Sequence, residues 1–328
     1  MSCSVNKIDF TIIIPIKNIS KDIYKLFDSL KENDLSCLKE VIIVSDENIK
    51  LNINNFPFKI INIISDALPS EKRNIGTLYS SGNYMIFIDD DAYPDKSWLS
   101  NIEKCILNSN HDIIGGPGIL PNDHNFFQML VYIILCSKLF TFVSNRYFPE
   151  YQKIEKDWPS MNFIIKKELF EYVGGFNNNY WPGEDSELCL KLNSMGKFIF
   201  YNPKIIVHHS PRSNLISYVR QVYRYGLHRA KLISRSFNFN QIIHLIPLLN
   251  IFTLLIFFIF LKNYLIYLIL IYLIFYIFAI IELRIKLKYP FFYLFLATLL
   301  VPVNHLTYSL GNIFGFFKSR NSISKKGR

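Results

Sequence analysis

Two runs of nearly unbroken Leu, Ile, Phe and Tyr, at 242–261 and 264–281, constrain this 328-residue chain more than any other feature. Each carries roughly the 18–20 apolar residues needed to span a bilayer. Only Lys262 and Asn263 separate them, which predicts a tight helical hairpin. A third run, 291–317, is interrupted by Pro302, Asn304, His305, Gly311 and Gly315, and reads as spanning or re-entrant. The chain is therefore expected to divide into a front domain, 1–235, and a C-terminal helical membrane region, 236–328.

Charge follows the same division. From Ser236 to Arg328 there are nine Lys and Arg and one acid, Glu282, so the tail carries most of the formal net charge of +10. The front domain is close to neutral, which argues against a nucleic-acid partner and for a membrane with anionic lipid. The positive-inside rule places Arg284, Lys286 and Lys288 in the cytoplasm together with the front domain. The basic tail, with Lys318, Arg320, Lys325, Lys326 and Arg328, would be stranded outside by a third span, which favours a re-entrant or interfacial third segment. Five scattered cysteines without a CxxC suggest a reducing compartment. The apolar stretch 10–16 is too short for a signal peptide.

The front domain alternates strand and helix. Strands are expected at 10–16, 41–44, 59–64 and 84–88, with helices at 20–30 and 69–81 between them. That rhythm predicts an α/β fold with a mostly parallel sheet, whose ligands bind at the carboxyl ends of the strands. Further along, 126–142 reads as a helix on the bilayer surface or buried in the fold. Another strand is expected at 162–166, helices at 167–173 and 185–194, short strands at 198–201 and 205–207, and a basic, aromatic helix at 213–234.

Acids gather at the expected strand ends. Asp89-Asp90-Asp91 follows the apolar run Tyr84-Met85-Ile86-Phe87-Ile88. Three carboxylates at the mouth of a dry strand repel one another unless a cation joins them, and a divalent metal carrying a phosphate suits them. Asp46 ends the second strand, as an ordinary turn residue or as an acceptor for a base N–H or a ribose hydroxyl. Lys72-Arg73-Asn74 is either a solvated helix face or a group reaching a diphosphate. In Trp181-Pro182-Gly183-Glu184-Asp185 a tight turn holds two acids at a helix start. One can be a cap stabilised by the helix dipole by about 0.3–1 kcal/mol, and one can take a proton from an attacking hydroxyl. His208-His209 closes a strand, as structural residues or with His208 as a further metal ligand. Arg220, Arg224 and His228 share a helix face with Gln221 and Tyr225 nearby, suited to a diphosphate or to lipid headgroups.

Taken in order, these segments resemble a membrane-associated family 2 inverting glycosyltransferase of GT-A (Rossmann-like) fold. The likeness rests on Thr11-Ile12-Ile13-Ile14-Pro15-Ile16-Lys17-Asn18, Val44-Ser45-Asp46, Arg73-Asn74-Ile75-Gly76, Phe87-Ile88-Asp89-Asp90-Asp91, Val173-Gly174-Gly175-Phe176, Gly183-Glu184-Asp185, Asn202-Pro203, His208 and Arg220-Gln221-Val222-Tyr223-Arg224-Tyr225-Gly226. The resemblance implies Pro15, Asp46, Arg73, Asp89 and Asp90 at a nucleotide-diphosphate-sugar donor. It implies Asp89 and Asp91 at Mn2+ or Mg2+, joined by His208, and Asp185 as general base beside Glu184. Trp181, Gln221, Arg224 and Tyr225 would serve acceptor or diphosphate, the last three resembling the QxxRW element of cellulose-synthase-like enzymes with Tyr225 in place of Trp. The implied reaction is one displacement that inverts the anomeric carbon, with a lipid-linked or cell-surface glycan as acceptor. The short membrane part favours addition of one or few sugars over polymer extrusion. Two other readings are a noncatalytic membrane scaffold and a sugar-phosphate nucleotidyltransferase. The latter class carries a Gly-rich loop after its first strand, where this chain has Ile16-Lys17-Asn18-Ile19-Ser20.

Overall fold

A computed structural model describes residues 7–48, 56–109, 111–235 and 239–324. Lys325, Lys326 and Arg328 of the basic tail, and Cys3, lie outside them. In chain order the elements are β1 (Phe10–Pro15), α1 (Lys21–Lys31), β2 (Leu38–Ser45), β3 (Ile60–Ile64), α2 (Pro69–Leu78), β4 (Tyr84–Ile88), β5 (Ala92–Pro94), α3 (Trp98–Ser109), β6 (Ile113–Gly115), β7 (Gly118–Ile119) and α4 (Phe126–Leu135). They continue with β8 (Lys153–Glu155), β9 (Asn162–Lys166), α5 (Lys167–Tyr172), α6 (Glu184–Ser194), β10 (Ile199–Tyr201), β11 (Val207–His209), α7 (Leu215–Arg235), α8 (Ile246–Phe260), α9 (Leu265–Leu287), α10 (Phe291–Thr298) and α11 (Leu300–Ser324). The chain forms two compact units, Met1–Pro121 with Phe148–Ser210, and Asn122–Tyr147 with Pro211–Arg328. Residues 122–147 and 211–235, which sequence pattern groups with the front domain, pack within the second unit.

The first unit is built on an eight-stranded sheet of order β3-β2-β1-β4-β9-β6-β10-β8. Its β3-β2-β1-β4 half is parallel, and β9 runs antiparallel to both β4 and β6. Strand alternation gives each face its own core. Phe10, Ile12 and Ile14 of β1 pack with Ile23, Leu26, Phe27 and Leu30 of α1. Ile13 faces the other way, with Met85, Phe87, Leu188 and Leu192. Ser20 caps α1 by accepting from the Asp22 N–H. On the second face α2 lies so close to β1 that a Cβ at Gly76 would press into the Ile13 side chain. A small sheet, β5-β11-β7, completes the unit.

Several elements differ from expectation. Helix α2 ends at Leu78, short of residue 81, where the Ser80 hydroxyl donates to the Thr77 carbonyl. The last strand is shifted to Val207–His209, because Ile205 closes a turn onto Asn202. Helix α3 was not expected, although Trp98, Leu99, Ile102, Cys105 and Ile106 are buried at helical spacing. Strands β5 to β8 span two or three residues each, too few for a period to register.

In the second unit, Gln241–Phe260, Lys262–Leu287 and Phe291–Lys318 are helical stretches long and apolar enough to cross a membrane. The apolar run from 126 is helical only to Leu135. Beyond it the Ser137 hydroxyl and the Lys138 N–H donate to Glu282. The third run has no re-entrant turn, only a step at Leu299 between α10 and α11. Its polar and glycine interruptions form a packing face. Asn304 accepts from the Tyr218 hydroxyl. A Cβ at Gly311 or Gly315 would overlap the Tyr223 or Leu227 carbonyl of α7, and one at Gly226 would overlap the Tyr308 carbonyl of α11. These contacts advance together along both helices, so α7 and α11 run side by side in the same direction with backbones touching, as small-xxx-small faces allow.

Candidate active site

Three consecutive residues of α2 organise the carboxyl ends of the strands. Lys72 and Arg73 are buried and Asn74 is half-buried, each bonded to a neighbouring segment, so the solvated-face reading does not hold. The Lys72 ammonium, 3% exposed, donates to the Ile16 carbonyl and pairs with Asp46. The Arg73 guanidinium, 4% exposed, donates to Asp89 at 2.7 Å and to Glu184 at 3.0 Å. Asn74 exchanges two hydrogen bonds with the Phe176 backbone at 2.8 and 2.9 Å. Burial works against the Arg73 charge, and Asp89 and Glu184 more than offset it, keeping the group firmly protonated. The Phe176 ring stands 5.6 Å from the guanidinium carbon.

Arg73 thus joins two acids from distant parts of the chain, Asp89 and Glu184. Asp89 follows the buried strand β4, while Glu184 opens α6. Gly183, with φ of 128°, turns the chain into that helix, a conformation that favours glycine. Glu184 is buried and also accepts from the Gly183 N–H. Asp185, next along the helix, is half-buried, accepts from the Ser186 N–H and contributes to the field at Arg73. Of the two adjacent acids, the one engaged by the guanidinium is Glu184. Trp181 is half-buried ahead of them, and Pro15 is buried at the end of β1, opposite Val44 of β2.

The acid triplet is under electrostatic load. Burial, with Asp91 and Asp89 beside it, pushes the Asp90 carboxyl up to about 7. Strand β11 pairs with β5 so that His208 lies opposite Tyr93 and His209 opposite Ala92. His208 stacks on the Tyr93 ring at 4.8 Å, and burial lowers its pKa against the pull of Asp95. His209 brings its Nε2 to 3.4 Å from Asp91. The histidine turned toward the triplet is therefore His209 and not His208, since successive side chains of a strand point to opposite faces. Sequence reasoning missed His209 because the register with β5 was not legible.

Among the described residues, no three His, Cys, Asp or Glu side chains form a metal-holding group. Cations that work on phosphates commonly take only one or two carboxylates and complete their shell with phosphate oxygens and water. Asp89 and Asp91, hard oxygen donors beside a carboxyl that resists ionising, fit that role. Gln221, Arg224 and Tyr225 lie on α7, in the second unit, with Arg224 and Tyr225 exposed and Gln221 half-buried.

A mixed α/β sheet whose first half is parallel, with acids gathered at its strand ends, makes a GT-A-like fold. Residues 11–173, just under half of the chain, match the family model described as Glycosyl transferase family 2. The pre-mycofactocin glycosyltransferase of Mycobacterium tuberculosis is 22% identical over 233 residues, covering 69% of this chain and 48% of that protein. An uncharacterized glycosyltransferase of Haemophilus influenzae is 26% identical over 256 residues, covering 70% of this chain and 80% of that protein. The chain spans about half the length of the mycobacterial relatives it matches. Among solved structures, the mannosyltransferase PcManGT from Pyrobaculum calidifontis, in complex with GDP-Man and Mn2+, superposes with a TM-score of 0.53 at 17% identity. The match covers 96% of this chain and 88% of that one.

Proposed function

We propose that this chain is a membrane-anchored inverting glycosyltransferase that moves a sugar from a nucleotide-diphosphate donor to a hydroxyl of a lipid-linked or cell-surface glycan. Its catalytic unit faces the cytoplasm, and its membrane region lies among anionic lipids. The observation that carries the reading is the Arg73 bridge, which gathers Asp89 and Glu184 within one guanidinium's reach and leaves Asp185 beside them.

In this reading Pro15 and Asp46 line the base and ribose, with Lys72 holding Asp46 in place. Asp89 and Asp91 hold Mn2+ or Mg2+, which supplies positive charge against the diphosphate. The solved mannosyltransferase of similar fold, in complex with GDP-Man and Mn2+, supports a nucleotide-sugar donor and a divalent metal. Asp185 accepts the proton of the acceptor hydroxyl as that oxygen attacks the anomeric carbon from the face opposite the departing diphosphate. Glu184, paired with Arg73 and accepting from the Gly183 N–H, holds the turn that presents Asp185. Trp181 is assigned to acceptor or diphosphate, and the likeness of Gln221, Arg224 and Tyr225 to the QxxRW element supports the same kind of role for those residues. The α7–α11 pair lies at the membrane interface, because crossing would carry Arg220, Arg224 and Lys231 into hydrocarbon.

The test uses the full chain in nanodiscs, a panel of nucleotide sugars and Mn2+. Asp185→Asn is expected to lower kcat by about 10²–10⁴, the range for a lost general base, while nucleoside-diphosphate binding persists. Near-normal transfer by this variant would overturn the base assignment. Absence of Mn2+-dependent nucleotide binding in the unaltered chain would overturn the whole proposal.

A further inference from the structure

The second unit contains seventeen Lys and Arg but only two carboxylates, Asp123 and Glu282. Glu282 is already engaged by Ser137, Lys138 and Lys286. The positive charge has a focus where α7 and α11 touch. Along α7, Arg224, His228, Lys231 and Arg235 follow at intervals of four, three and four residues, one stripe of the helix. On α11, Gly315 abuts Leu227 and Ala230, and Lys318 lies one turn further on the same face. That crossing brings Lys318 to His228 and Lys231.

The charges acting on this focus share one sign. His228 feels Lys231, Arg224 and Lys318, and Lys231 feels Lys318 and Arg235. Among the described residues, no carboxylate pairs with Arg224, Lys231 or Lys318. His228 and Lys231 are half-buried, so solvent alone does not screen them. Beside the cations, Leu310, Phe314 and Phe317 of α11 are exposed. A cationic centre flanked by open apolar side chains matches a ligand with an anionic head and a hydrocarbon tail.

We infer that Arg224, His228, Lys231 and Lys318 form a binding site for the phosphate of a lipid, and specifically for the mono- or diphosphate head of the lipid-linked acceptor. Several unpaired cations favour a head carrying about two charges over a phosphodiester carrying one. Neutral His228 contributes a hydrogen-bond donor within the cationic ring. The inference rests on the proposed transfer to a lipid-linked acceptor, and it names the group by which that acceptor is held.

The test measures equilibrium binding of farnesyl phosphate to the full chain in phosphatidylcholine nanodiscs, with no nucleotide present. The unaltered chain is expected to bind it, and the alcohol farnesol to bind at least about tenfold more weakly. Lys231→Gln with Lys318→Gln is expected to lose about tenfold in affinity at unchanged thermal stability, and Lys231→Arg with Lys318→Arg to restore it. Equal binding by the glutamine variant would overturn the site. Competition by phosphatidylglycerol nanodiscs at matched phosphate would show a site for bulk anionic lipid and overturn the acceptor assignment. Because this assay needs no donor, its failure is separate from that of the transfer assay: farnesyl phosphate binding together with no transfer from any nucleotide sugar in the donor-supplied assay would leave the site standing and remove the proposed function instead.

Discussion

At the scale of single residues, Arg73 shows what a side chain can do that no spacing rule foretells. Its helix position was legible, but its partners come from the ends of β4 and the start of α6, and only the folded sheet brings them together. The acids themselves were legible, since carboxylates after apolar strands are conspicuous. Which acid the guanidinium engages was not, because that depends on how α2 packs against the start of α6. His228 offers a residue-scale prediction. Burial, with Lys231, Arg224 and Lys318 adding to it, lowers its pKa to about 4, against about 6.5 when unfolded. The unfolded chain then takes up a proton below about pH 6.5 that the folded chain refuses, so stability falls as pH drops toward about 4. Thermal unfolding of the full chain should show a loss between about pH 7 and pH 5 that His228→Gln reduces.

At the scale of elements, long periodic segments were readable and short ones were not. Strand β4 and helices α1 and α6 follow from buried runs and helical spacing. The His208 and His209 pair failed for a different reason: a register set by β5 decides which imidazole meets Asp91. The glycines of the third apolar run read as interruptions, whereas they are the contact face with α7. Substitution should expose this. Gly311→Leu is expected to separate α7 from α11 and destabilise the second unit by about 1–3 kcal/mol, as overpacking does. Gly311→Ala should give a smaller version of the same loss, and Leu310→Ala, on an exposed position, should leave stability nearly unchanged. Chemical unfolding of the detergent-solubilised chain would read all three.

At the scale of the whole molecule, charge divides more sharply than composition along the chain suggests. The excess belongs to the second unit, which gathers residues 122–147 and 211–235 with the apolar helices. The expected orientation, catalytic unit toward the cytoplasm, can be checked with Tyr172, which is 78% exposed. A Tyr172→Cys variant should react with a membrane-impermeant maleimide in inverted vesicles and resist it in right-side-out ones. The native Cys37 would interfere little, because burial and the neighbouring Glu103 push its thiol up to about 11. Labelling from the opposite side would reverse the orientation. The α7–α11 seam has a further consequence during synthesis. A growing polypeptide makes α7 well before its partner, and Gly226 has nothing to close upon until the ribosome has added Gly311 and Gly315. A nascent product released after the second apolar helix would therefore keep a bare backbone groove on α7, a ready mark for quality-control proteases.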